Sequence, residues 1–227
     1  VSPLPRRFTN RWRERPGAQP FEDAVCWHIL LGGQPTARSI ASDARQRLAR
    51  FGGLHMTPMR WLHMTVLLAG PAAEIDQDAR QEMLTRASSR LSAAAPVTVT
   101  VSRVFYHPEA IVLGVSPTSA LSPIFEAAQA ATLEVTGARD VTGGPGAASS
   151  WTPHLTLCYS TIEQPAAPII AALGRTLPPR EVTIDTLSLV VQNGPEPLWD
   201  WHPVGDARLL GARHGAESQP LGHPGGC

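Results

Sequence analysis

Trp61-Leu62-His63-Met64-Thr65-Val66-Leu67-Leu68 and Trp151-Thr152-Pro153-His154-Leu155-Thr156-Leu157-Cys158-Tyr159 are two apolar stretches of the same design. Each reads as a β-strand, and each carries His-x-Thr followed by an apolar residue. On a strand, residues two apart share a face and stand about 6.6 Å apart. His63 and Thr65 therefore share one face with Met64 on the other, and His154 and Thr156 share one with Leu155 on the other. Each copy places an imidazole and a hydroxyl on an otherwise apolar strand.

The elements around the two stretches repeat. Residues 25–31 are strand-like and stop at Gly32-Gly33. Residues 36–50 have helical spacing (Ile40, Ala44, Leu48) and end at Gly52-Gly53. After the first histidine strand comes a helical stretch at 73–92 and an alternating Val/Thr and Val/Ser strand at 97–105. The second half runs as a strand at 111–115, an Ala-rich helix at 119–135, the second histidine strand, a short helix at 166–175, and a closing strand pair at 182–191 and 199–204. Asn193-Gly194-Pro195 makes the turn in that pair. Both halves read β-α-β-α-β, with the histidine strand second in each. The expected fold is α+β: a pseudo-symmetric duplication forming two lobes whose histidine strands face each other. One domain is expected over 23–206, with halves of roughly 23–106 and 110–206. Residues 1–22, rich in Arg and Pro, read as a disordered arm and 207–227 as a frayed tail. Arg6, Arg7, Arg11, Arg13 and Arg15 could form a nucleic-acid-binding arm; a solvated terminus is the plainer reading.

Whole-chain properties exclude several classes. Nineteen basic residues, all Arg, balance nineteen acidic ones, so no global field draws in nucleic acid. Cys26, Cys158 and Cys227 are widely spaced, which suggests neither a disulfide framework nor a zinc site. Reduced thiols and the lack of a signal-like start fit a cytoplasmic protein. No apolar run spans a bilayer. No protein partner is implied, and a monomer is expected.

His-x-Ser/Thr alone is weak evidence; with eight histidines, about one copy is expected by chance. A third copy, His55-Met56-Thr57-Pro58, sits between Gly52-Gly53 and Pro58, a context for a loop that could line a cleft rim. The other two gain weight from matched position in apolar strands. Two titratable groups converging on one cleft suit acid/base catalysis. Opening a cyclic phosphodiester needs one group to take a proton from water and another to protonate the leaving ribose oxygen. Histidine can do either near neutrality. Thr65 and Thr156 could donate to the phosphoryl oxygens without a metal. His28, His63 and His154 could lie near one cleft, but no carboxylate accompanies them at ligand-like spacing, so no metal or cofactor is expected.

The two His-x-Thr-apolar strands, the two-lobed repeat and the closing strand pair resemble the two-histidine (2H) phosphoesterase superfamily, in particular its bacterial 2′-5′ RNA ligase-like and cyclic phosphodiesterase-like branch. The resemblance spans residues 24–205. It implies two mostly antiparallel sheets flanking a central cleft, with helices outside. It also implies metal-free hydrolysis of a 2′,3′-cyclic nucleotide, an RNA end or a 2′-5′ linkage. Carried over by motif, His63 and His154 are catalytic, and Thr65 and Thr156 bind phosphate. Of the histidines, His154 is favoured as base and His63 as acid. Some members have Arg five residues after the second histidine. Tyr159 stands there in this chain, which weakens the case for RNA ligation; Tyr159 could donate one hydrogen bond to phosphate or pack as a plain strand residue. Trp61 shares parity with His63 and could stack a base or form cleft wall. Arg60 and Arg103 are further phosphate candidates. Residues 137–150 read as a flap, and parity does not say whether Trp27 or His28 faces the cleft. Two alternatives stay open: a module binding nucleotides or RNA ends without turnover, and an enzyme for a non-nucleotide phosphoester.

Overall fold

A computed structural model describes residues 3–13, 23–137 and 151–211. In chain order the elements are β1 (Arg7–Phe8), β2 (Ala24–Leu30), α1 (Pro35–Leu48), β3 (Leu54–Met56), β4 (His63–Pro71), α2 (Gln77–Leu91), β5 (Val97–Tyr106), β6 (Ala110–Ser116), α3 (Ser122–Thr136), β7 (His154–Ser160), β8 (Gln164–Pro165), α4 (Ala167–Leu173), β9 (Thr176–Ile184), β10 (Thr186–Gln192) and β11 (Trp201–Arg208). The α+β class and the repeated order hold. Helix α1 starts on Pro35, whose fixed φ suits a first turn, and buries Ala37, Ile40, Ala41, Ala44 and Leu48 along one stripe. The Asp76 carboxylate caps α2 by accepting from the Ala79 N–H at 2.8 Å.

Two antiparallel sheets carry the fold, a four-stranded one ordered β11-β10-β2-β4 and a five-stranded one ordered β3-β7-β6-β5-β9. Each draws strands from both halves of the sequence. Strands β2 and β4 are completed by β10 and β11 from the far end of the chain, while β6 and β7 are completed by β5 from the first half. The helices are exchanged as well. Helix α1 packs on β9 and α4 over the five-stranded sheet, and α3 packs on β4 and α2 over the four-stranded one.

Four expectations need correction. The apolar run at 182–191 is not one strand. It breaks at Asp185 into β9 of one sheet and β10 of the other. The buried positions shift from Val182 and Ile184 to Leu187 and Leu189, so the parity flips at the break. Residues 54–56 form a short edge strand on β7 where a loop is expected. The arm expected over 1–22 is ordered over residues 3–13. There β1 pairs with β8, Phe8 is wholly buried, and the Thr9 N–H donates to the Pro108 carbonyl at 2.7 Å. Likewise the tail expected from 207 begins inside β11, and Leu209 is buried. The flap at 138–150 and the tail from 212 lie outside the described residues.

Candidate active site

The two histidine strands have the same register against their neighbours, down to a bulge. On β4, His63, Thr65 and Leu68 pair with Leu30, His28 and Cys26 of β2; on β7, His154, Thr156 and Tyr159 pair with Gly114, Val112 and Ala110 of β6. In each case one extra residue, Val66 or Leu157, is inserted after the threonine. A bulge of this kind re-aims the side chains beyond it. Strict alternation would send Tyr159 away from His154 and Thr156; the bulge returns it to their face. The register on β4 also shows that His28, and not Trp27, shares the site face. Trp27 is wholly buried, its indole N–H donating to Thr132 Oγ1 at 2.9 Å.

Strands β4 and β7 meet where the sheets adjoin. The Trp151 indole, three residues before His154, donates across this seam to the Thr65 carbonyl at 2.9 Å. His63 and Thr156 are buried, while His154 and Thr65 are half-buried.

Both imidazoles are held in the same way. His63 Nδ1 lies 2.8 Å from the Trp61 carbonyl, and His154 Nδ1 lies 2.8 Å from the Thr152 carbonyl. A carbonyl only accepts, so Nδ1 carries the proton in both rings and Nε2 is left with its lone pair. Each ring thus offers one nitrogen to a ligand, as a base when neutral and as an acid when charged. Burial lowers the His63 pKa to about 4, opposed by the Trp61 carbonyl, reinforced by the charge of His154 and opposed by that of Glu196. Burial also lowers the pKa of His154, against the Thr152 carbonyl and with a smaller contribution from His107. Burial and then His63 drive His28 well below its ordinary range.

Aromatic rings enclose His63. His28 stacks on it at 4.4 Å, and Trp201 and Trp199 meet it edge-on at 4.8 and 5.9 Å. Trp61 is packed against Trp201 at 4.7 Å and lies under the Arg60 guanidinium. Trp199 has φ 54°, an uncommon conformation for a bulky side chain, and its indole donates to His55 Nε2 at 3.1 Å. His55 stands on the edge strand β3. Arg103 stacks on Phe105.

Beside the second motif, the Tyr159 ring is packed against Trp12 at 5.7 Å and Trp199 at 5.8 Å. Glu196 is buried and accepts from Arg11 Nε and Nη2, both at 3.2 Å, and from the Trp12 indole at 3.1 Å. The Arg11 guanidinium stands 5.1 Å over the Tyr159 ring and also reaches Glu109 at 3.3 Å. A cation thus does accompany Tyr159, delivered from a distant segment, but two carboxylates hold it. Burial first, then Glu196, raises the Tyr159 pKa above its ordinary value. Among the described residues no group of three or more His, Cys, Asp or Glu side chains is arranged to hold a metal.

The family model of the 2′-5′ RNA ligase superfamily matches residues 36–196, which include both motifs. The chain belongs to this superfamily, the two-histidine phosphoesterases. Its fold resembles that of TT0787 of Thermus thermophilus, with a TM-score of 0.61 at 19% identity over 83% of this chain and 99% of that one. It also resembles E. coli LigT complexed with 3′-AMP, with a TM-score of 0.60 at 14% identity over 85% and 99%. At such identities the likeness is one of fold. No curated protein matches the chain.

Within this 2′-5′ RNA ligase superfamily member, residues 3–13 lie outside the family match, and they bring Arg11 and Trp12 to the site. These two and Glu196 escape a reading by motif, because their contacts join residues about 185 positions apart. The one available signal is compositional: Trp12 is an aromatic residue inside a segment otherwise suited to disorder.

Proposed function

We propose that this protein hydrolyses a cyclic phosphodiester of the 2′,3′-cyclic nucleotide or RNA-end type, by general acid–base catalysis between His63 and His154. Thr65 and Thr156 donate to the phosphoryl oxygens. One observation carries the reading: two strands of identical register each present an imidazole with Nδ1 tied to a carbonyl and Nε2 open, with a hydroxyl two residues on. In-line displacement at phosphorus needs a proton acceptor on one side and a donor on the other, and the seam between the sheets is lined by one such group from each.

Burial orders the roles. His63, held to about 4, is neutral near pH 7 and suits the base that takes a proton from water. His154 is less enclosed, and an anionic phosphodiester beside it favours its charged form, which suits the acid that protonates the leaving ribose oxygen. This ordering reverses the one favoured from the sequence. The LigT structures with 3′-AMP, ATP and NADP+ support a nucleotide phosphate as the ligand class.

The test is hydrolysis of 2′,3′-cyclic nucleotides by the purified protein in EDTA, beside His63→Ala and His154→Ala. Turnover that survives EDTA and falls by roughly 100-fold or more in each variant is the expected result. Loss of turnover in EDTA, or variants that keep full activity, would overturn the mechanism.

A further inference from the structure

The motif residues occupy only one side of the second strand, and what stands beyond them is a buried acid. A carboxylate next to a phosphate site repels its ligand unless its charge is matched. Glu196 is matched from one place only among the described contacts, the segment around Arg11 and Trp12. That segment is not placed by chance collapse. Phe8 is sunk in the core, β1 is paired with β8, and the Arg11 N–H donates to the Ser160 carbonyl at 2.8 Å, one residue past Tyr159. The Trp12 ring meets Tyr159 and His55 edge-on at 5.7 and 5.0 Å.

We infer that Arg11 and Trp12 are positioning residues of the catalytic site, which neutralise Glu196 and pack the Tyr159 ring beside the second motif. This rests on the function proposed above and adds to it a second tier of residues from outside the family match. The bulge at Leu157 links this cluster to the second motif, since it puts Thr156 and Tyr159 on one face. Arg11 does not itself bind the phosphate. It cancels the Glu196 charge, so the anion approaches a neutral wall.

The test compares Arg11→Met, Glu196→Gln and the double variant Arg11→Met/Glu196→Gln with the parent chain. It reads KM and kcat on a 2′,3′-cyclic nucleotide, inhibition by inorganic phosphate, and Tm. Arg13→Ala is the control, because Arg13 sits on the same segment but pairs with the exposed Glu163. Arg11→Met is expected to raise KM and the phosphate inhibition constant by about 10-fold each while kcat changes less than 3-fold, since an uncompensated carboxylate opposes the anion. The double variant should recover most of that loss. Arg13→Ala should match the parent. Unchanged KM and phosphate inhibition in Arg11→Met would overturn the inference. So would a loss that follows Tm alone and is not recovered in the double variant. A parent chain that binds phosphate but turns nothing over defeats the proposed function, and the phosphate constants, read then as direct binding, still decide the role of Arg11.

Discussion

His28 and His63 lie face to face, with ring centroids 4.4 Å apart and planes inclined by 27°. His28 Nδ1 is buried without a hydrogen-bond partner, so a charge on this ring would be uncompensated and it remains a neutral slab. Stacked there, it covers one face of the His63 ring. Replacing His28 by Ala should let water in and raise the apparent pKa of His63 toward its ordinary value. The acid limb of kcat/KM against pH should then move upward by about one unit. His28→Phe keeps the stack and should leave that limb in place. Coincident profiles for His28→Ala and the parent would refute this expectation.

Stability should carry the mark of the same burial. His63 has a folded pKa of about 4 and an unfolded one near 6.5. The folded state disfavours the proton, so its contribution is complete above about pH 6.5 and is lost as pH falls toward 4. For His63 alone the loss is on the order of 2–3 kcal/mol. His28 and His154 are shifted the same way and add to it. Thermal melts between pH 8 and 4 should show Tm falling below about pH 6.5. His63→Gln, if it folds, should show a shallower fall. A flat Tm across that range would contradict the assignment.

Thr65 and Thr156 occupy equivalent places in the two strands, so their valine variants should cost comparable amounts. A loss of about 10- to 100-fold in kcat/KM is expected for each. The double variant should lose less than the product of the two, because the hydroxyls serve one phosphoryl group. A strictly multiplicative double variant would mean that they act on separate steps.

Gly32 has a backbone reason to be glycine. A Cβ there would come within 2.0 Å of the Arg60 carbonyl oxygen, in the turn that leads to Trp61 and His63. Gly32→Ala should destabilise the protein by about 1–3 kcal/mol. It should also lower activity beyond the stability loss, since the Trp61 carbonyl that orients His63 must move. Full activity at a temperature where the variant is folded would separate that turn from catalysis.

The motif strands, all four helices and the repeat were legible because each depends on local apolar spacing. Ile40, Ala44 and Leu48 mark α1 whatever it packs against. That His63 and His154 hold equivalent strand positions was legible because the same short pattern falls at the same ordinal place in both halves. What period-two reasoning cannot see is an inserted residue. Val66 and Leu157 look like ordinary strand positions, yet they shift the parity after each threonine, and Leu157 decides that Tyr159 returns to the face of Thr156. Asp185 likewise gives little sign that an apolar run changes sheets. Arg11, Trp12 and Glu196 were hidden for another reason: their meeting is fixed by where β1 docks, which no window of sequence contains.

The crossing of α1 and α3 onto each other's sheets bears on how such a chain can be divided. Cut between β5 and β6, the first piece keeps β2 and β4 but loses β10 and β11, and its helix α1 has no sheet to cover. The second piece lacks β5 between β6 and β9, and its α3 is equally stranded. Neither piece is a foldable unit. A polypeptide of half this length could satisfy the same pattern only as an intertwined homodimer, each copy lending a helix and a strand to the other. Joining the copies would turn that mutual loan into one molecule, free to let its two histidine strands diverge, as Leu68 and Tyr159 have done.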